Sequence, residues 1–296
     1  MATLYRLHPM QWMRDHNHLI EVLASSIIAK IPNLSVVEDT IDKLNFVMDG
    51  EDYYMNECEL LLDLGDRIIA VSFLDNASKL AQLVQDRNNP LDLFIYSQPD
   101  NAWPSIADRS VRGVYVTMDP FINLDAFYQL RASRSSFYDK IVFRGNVTGV
   151  GRGSVPFLIG NDAFVGPDGK NSKEYFEDII KYKVGLSLPG VGELCYRDIE
   201  YMAIGLPMLR FEYEFDLNPP LIPNYHYISI PRPDNMSWVV EREGSLAMAD
   251  AYLARFNEVR YDTDFLTAVS ENANQYYKDN YSITTRVPRI LSLMGL

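Results

Sequence analysis

The sequence predicts an α/β protein of two doubly wound halves, and three observations carry that expectation. Short apolar runs of strand length alternate with helix-patterned stretches in both halves of the chain. The 296 residues suit two domains of ordinary size. Glycine-rich turns follow two strands of the second half, where open α/β sheets carry their ligands.

In the first half, Leu19 to Ile31 has apolar residues at helical spacing, and Arg67 to Phe73 and Leu91 to Tyr96 are strand-length runs bounded by turn residues. Asn76 to Asp86 between them has helical spacing, so the order is strand, helix, strand, the unit of a parallel sheet. A third strand is expected at Gly113 to Thr117, after a loop whose prolines, Pro99 and Pro104, exclude regular structure. The second series runs through a strand at Lys140 to Phe143, a helix near Lys173 to Ile180, a strand at Val184 to Leu188, a helix at Tyr196 to Ile204 and a strand at Met208 to Phe211. The polar, serine-rich segment Arg131 to Asp139 is the expected boundary, giving domains 1–135 and 136–270. Residues 271–296 read as helical and are expected to return to the first domain.

Forty acidic against 27 basic side chains leave a net charge of -13, which disfavours a broad grip on nucleic acid, so any anion must be held locally. With only Cys58 and Cys195 there is no disulfide scaffold, and the opening MATLYRLHPMQW has no secretory pattern. No apolar run approaches the roughly 20 residues that cross a bilayer. The chain reads as a soluble, cytoplasmic protein.

Two turns favour anions. Phe143 to Ser154 places Arg144 and Arg152 beside Gly145, Gly149, Gly151 and Gly153, and Leu188 to Arg197 carries Gly190 and Gly192 and puts Arg197 at the start of the next helix. Three arginines on such turns in an acidic protein suggest a diphosphate, which guanidinium binds bidentately. The glycine spacing fits neither a dinucleotide fingerprint nor a Walker A loop, which disfavours a nicotinamide dehydrogenase and a P-loop NTPase.

The segment Arg197 to Leu209, with Glu200, Gly205 and Pro207, resembles the glutamate, glycine and proline segment of two-domain (GT-B) nucleotide-sugar glycosyltransferases. Together with Val142 to Asn146, Arg152, Lys181 to Lys183, Gly190 to Arg197 and Phe215 to Ile230, it is similar to the protein O-glucosyltransferase and capsule-associated xylosyltransferase family, over roughly residues 140 to 285. Exostosin-like transferases share part of the pattern. In the first half, Asn89 to Pro104 is similar to the family's strand followed by an acidic residue and a proline. The short chain also looks like compact sugar transferases of large algal viruses, among them a xylosyltransferase. The signal peptide and disulfides of the family's secreted members are missing.

The resemblance implies two Rossmann-like domains facing across a cleft, a UDP-sugar donor with xylose first and glucose second, and a carbohydrate or glycan hydroxyl as acceptor. It implies phosphate contacts from Arg144 and Arg197 with Arg152 close by, backbone approach at Gly145 and Gly190, ribose hydroxyls on Glu200, and no metal or other cofactor. Inverting transfer needs a base for the acceptor hydroxyl. Asp75, directly after the strand Ile68 to Phe73 and near the family's first-domain catalytic carboxylate, is the choice, with Asp100 second. As bland alternatives Asp75 suits a helix N-cap and Asp100 a turn. Nothing identifies the second carboxylate that a retaining mechanism would use.

Other residues invite simpler readings. Asp262-Thr-Asp264 matches a manganese motif but precedes a helical stretch and reads as a cap. His16 and His18 with Asp15 lack a further metal ligand, and Cys195, for which His226 is the remote partner, reads as a packed thiol. Trp103, Tyr213, Tyr225 and Tyr227 suit either stacking or core. The rival functions are a noncatalytic nucleotide-sugar or glycan binding protein and a sugar-nucleotide hydrolase or phosphorylase.

Overall fold

A computed structural model describes residues 2–7, 18–39, 45–48, 51–54, 60–72, 91–96, 110–112, 123–144, 155, 172–188, 195–213, 219–232 and 242–296. The chain divides into two units, Met1–Pro120 with Ser282–Leu296, and Phe121–Tyr281. The division falls before the serine-rich segment that the sequence suggested. The reason is local: Leu124–Ala132 forms a helix whose buried Leu124, Phe127 and Arg131 commit it to the second unit.

In the first unit, β1 (Thr3–Leu7), α1 (His18–Lys30) and β2 (Ser35–Asp39) precede a small antiparallel pair, β3 (Asn45–Met48) and β4 (Glu51–Tyr54). There follow β5 (Leu60–Asp63), β6 (Ile68–Ser72), β7 (Leu91–Tyr96) and β8 (Ser110–Arg112). The six-stranded sheet has the order β2-β1-β5-β6-β7-β8. It is mixed rather than wholly parallel, because β5 runs antiparallel to both β1 and β6. A tight turn makes that reversal: Gly65 takes φ +91, its N–H donates to Asp63 Oδ1 at 2.7 Å, and Leu64 N–H donates to Arg67 O at 3.0 Å. β8 lies at Ser110–Arg112, while the strand expected at 113–117 and the helix expected at 76–86 lie outside the described residues.

The second unit contains α2 (Leu124–Ala132), β9 (Tyr138–Val142), α3 (Ser172–Ile179), β10 (Tyr182–Leu186), α4 (Tyr196–Ala203), β11 (Met208–Phe211), β12 (Ile228–Ile230), α5 (Arg242–Val259) and α6 (Thr263–Asn280). Its four-stranded sheet, in the order β12-β11-β10-β9, is parallel throughout. Alternation along the strands splits the side chains between two faces. Ile141, Val184, Leu186, Leu209, Phe211, Ile228 and Ile230 join Met248, Tyr252 and Phe256 of α5 in one buried cluster. The other face carries Gly185, Ser187 and Arg210 and receives α4. α7 (Ile283–Leu293) returns to the first unit, packs on α1, and is followed by Met294, whose carbonyl accepts from Arg67 Nη2 at 2.6 Å.

Three devices fix α4. A Cβ on Gly185 would lie 2.5 Å from the Tyr201 ring, so only glycine lets that ring lie against the strand. Gly205 ends the helix at φ +64, with Leu206 N–H donating back to Tyr201 O at 2.8 Å. Arg131 of α2, 6 % exposed, donates to the carbonyls of Gly205, Ile180, Tyr182 and Lys183. Burial lowers the Arg131 pKa to about 9, with Arg134 adding to the effect.

Asp262 caps α6, accepting from Phe265 N–H at 3.0 Å, as the sequence suggested for Asp262-Thr-Asp264. Among the described residues no three His, Cys, Asp or Glu side chains group as metal ligands, and no helix is long and apolar enough to cross a membrane.

His226, near the start of β12, accepts the Ile222 N–H through Nδ1 at 2.8 Å and packs against Tyr225 and Tyr276. Only the neutral ring accepts there, and burial holds its pKa below the ordinary value. The unfolded chain therefore binds this proton first, and the stabilisation is present above about pH 6.5 and lost as pH falls below it. Chemical unfolding between about pH 7.5 and about pH 5.5 is expected to show that decline, and His226→Asn, which keeps an acceptor that does not titrate, is expected to flatten it.

Candidate functional site

Because β9, β10 and β11 are parallel, their carboxyl ends lie along one edge of the second sheet, where open α/β sheets bind ligands. The first turn of α4 meets that edge. Asp198, fully buried, accepts hydrogen bonds from Ser187 Oγ, from Cys195 N–H at 3.0 Å, from Arg210 Nη1 at 2.7 Å and from Tyr213 OH at 3.2 Å. Arg210, 2 % exposed, also donates to Phe211 O and stacks on the Tyr213 ring at 3.3 Å. Here a buried carboxylate and a buried guanidinium satisfy each other.

The neighbouring arginine is treated differently. Arg197 is 8 % exposed and lies over the Phe143 ring at 4.1 Å. Its Nη2 donates to Arg144 O at 2.9 Å, but Nε and Nη1 are buried and have no hydrogen-bond partner among the described residues. No carboxylate forms an ion pair with it among those residues. Desolvation alone would lower its pKa, but Tyr201, Tyr175, Glu200 and Cys195 outweigh that and leave it raised, so the group is a cation. A buried cation with two bare donors at a helix N-terminus suits an anion.

No family model matches the chain and no curated protein matches it in sequence. Among solved structures it is similar to Anabaena HepE in complex with UDP-glucose, at 12 % identity over 76 % of this chain and 71 % of that one, with a TM-score of 0.44. It is similar to a glycosyltransferase from Rickettsia africae at 12 % identity over 98 % and 97 % of the two chains, with a TM-score of 0.46. A mutant of S. aureus TarM in complex with Fondaparinux, alpha-GlcNAc-glycerol and UDP is similar at 12 % identity over 91 % of this chain and 53 % of TarM, with a TM-score of 0.46. At this identity, function has to be argued from the side chains.

Glu200 follows Arg197 by one turn on the same face of α4 and accepts from Tyr175 OH of α3 at 2.9 Å. Burial raises the Glu200 pKa, and the Tyr175 hydrogen bond and Arg197 pull it partly back. Arg144 reaches the same edge by its backbone carbonyl, while its side chain turns to Asp178 at 2.8 Å and to Tyr182 OH at 3.4 Å. Of the expected donor-site residues, the structure thus brings Arg144, Arg197 and Glu200 together, with the Arg144 guanidinium engaged in an ion pair. Gly145, Arg152, Gly190, Asp75 and Asp100 lie outside the described residues, as do His16, Cys58 and Trp103. Cys195 is half-buried at the N-cap of α4, Tyr227 is buried, and Tyr225 is exposed.

Sequence reasoning missed Tyr175, Ser187, Asp198 and Arg210. Arg210 did carry a signal: an arginine inside the apolar strand Met-Leu-Arg-Phe needs a buried partner, and Asp198 is the acidic residue in the first turn of the helix that follows the glycine turn. Asp198→Ala is expected to cost about 3–5 kcal/mol, since it takes the carboxylate away from the buried Arg210 guanidinium. Urea unfolding of the purified variant checks this, and a loss below about 1 kcal/mol contradicts it.

Proposed function

We propose that the chain is a glycosyltransferase of the two-domain type that takes a UDP-sugar as donor and a carbohydrate or glycan hydroxyl as acceptor. The observation that supports this most is Arg197, a buried cation whose Nε and Nη1 lack partners among the described residues, one helical turn from Glu200. In this reading the diphosphate takes those two donors, Glu200 accepts from the ribose hydroxyls, and Arg144, Arg152, Gly145 and Gly190 complete the donor site. Xylose is the favoured sugar and glucose the alternative, both from the family resemblance.

The transfer inverts the anomeric centre. The acceptor oxygen bonds the anomeric carbon from the side opposite the diphosphate, and the bond from that carbon to the diphosphate oxygen breaks. UDP leaves with the electron pair, and the acceptor's proton passes to the carboxylate of Asp75, with Asp100 as second candidate. Guanidinium groups neutralise the leaving charge, so no divalent metal is required.

A site arginine and a structural arginine respond differently to replacement. Arg197→Met keeps an apolar chain over Phe143 and removes a poorly compensated charge, so the ligand-free variant is expected to melt no lower than the parent. Its affinity for UDP in calorimetry is expected to fall by about 10- to 100-fold, the worth of charge-assisted hydrogen bonds of roughly 1.5–3 kcal/mol. Unchanged UDP affinity, or a parent protein stabilised by NAD and by no uridine nucleotide, would falsify the assignment.

Asp75→Asn is expected to keep UDP binding and abolish sugar transfer to acceptor. A variant that still transfers removes Asp75 as base. A parent protein that binds UDP-sugars and turns none over is the noncatalytic binding protein instead.

A further inference from the structure

Glu200 has three rotatable side-chain bonds, and holding it in one geometry costs rotamer entropy. Tyr175 removes part of that freedom before any ligand arrives. Its hydroxyl donates to Glu200 Oε2 at 2.9 Å, and among the described residues this is the one hydrogen bond that the Glu200 carboxylate receives. Tyr175 is itself held. Its neighbour Phe176 is buried against Phe127 at 5.3 Å, and the two adjacent rings of α3 meet edge to face at 5.0 Å. Burial and the nearby Glu200 push the phenol well above its ordinary range, so it stays a donor.

We propose that Tyr175 is a specificity-determining positioning residue: it holds one Glu200 oxygen so that the other faces the ribose hydroxyls of a nucleoside diphosphate. The inference rests on the nucleotide reading of the Arg197 site and deepens it. A carboxylate oriented in advance gains more from the ribose hydroxyls, since less ordering remains to be done on binding. A plain tether between α3 and α4 would instead support every nucleotide alike.

The test is calorimetry of the full chain with UDP, 2'-deoxy-UDP and 3'-deoxy-UDP, for the parent, Tyr175→Phe, Glu200→Gln and the double variant. The parent is expected to prefer UDP over at least one deoxy analogue by about tenfold or more, the worth of a hydrogen bond to a charged acceptor. Tyr175→Phe keeps the ring on Phe176 and is expected to cut that preference by about three- to tenfold, with the affinity for the weaker analogue unchanged. Glu200→Gln is expected to erase most of it, and adding Tyr175→Phe to that variant is expected to change nothing further.

An equal loss for all three nucleotides in Tyr175→Phe, or an unchanged preference, overturns the proposal. A preference that survives Glu200→Gln overturns it while leaving the diphosphate reading of Arg197 standing. A parent protein that binds no UDP overturns both.

Discussion

Two buried arginines at one edge of the second sheet set the terms for everything around them. Arg210 is compensated, by Asp198, a backbone carbonyl and the Tyr213 ring. Arg197, one residue before Asp198, has a single hydrogen bond to Arg144 O and two bare nitrogens among the described residues. Each unsatisfied buried donor costs about 1–3 kcal/mol, a loss that folding alone gives no reason to accept. The same short helix therefore carries a structural lock on one side of its first turn and a poorly satisfied cation on the other. A buried guanidinium with two bare donors is a chemical match for an anion.

The asymmetry depends on where α4 sits. Gly185 lets the Tyr201 ring approach the sheet, and Gly205 stops the helix with a backbone conformation that side chains resist. Ser187 and Arg210, projecting from the ends of β10 and β11, grip Asp198 in the helix's first turn. Arg197 and Glu200 are then carried to the same strand edge as rigid parts of the helix. Their backbone positions are thus set by packing in the layer beneath them, while the Arg144 carbonyl and the Tyr175 hydroxyl engage their side chains.

Much of this was legible in the sequence. The elements from β9 to β11 follow apolar runs with turn punctuation, Arg197 stands out by position after a glycine turn, and Glu200 stands out through the family resemblance of its helix. The boundary between units was misplaced, because serines and arginines after Ala132 look like a linker although Arg131 is buried and binds four carbonyls. A long polar side chain hides its burial from composition. The antiparallel strand β5 was missed although Gly65-Asp66 is a two-residue hairpin signal between Leu60-Leu-Leu and Ile68-Ile. Tyr175 gave no local signal, since its partner lies 25 residues away on another helix.

The most direct measurement is a crystal structure of the protein with UDP-glucose or UDP-xylose. The account predicts diphosphate oxygens within hydrogen-bond distance of Arg197 Nε and Nη1, and a ribose hydroxyl on Glu200. A nucleotide bound elsewhere, with those two nitrogens still bare, contradicts it.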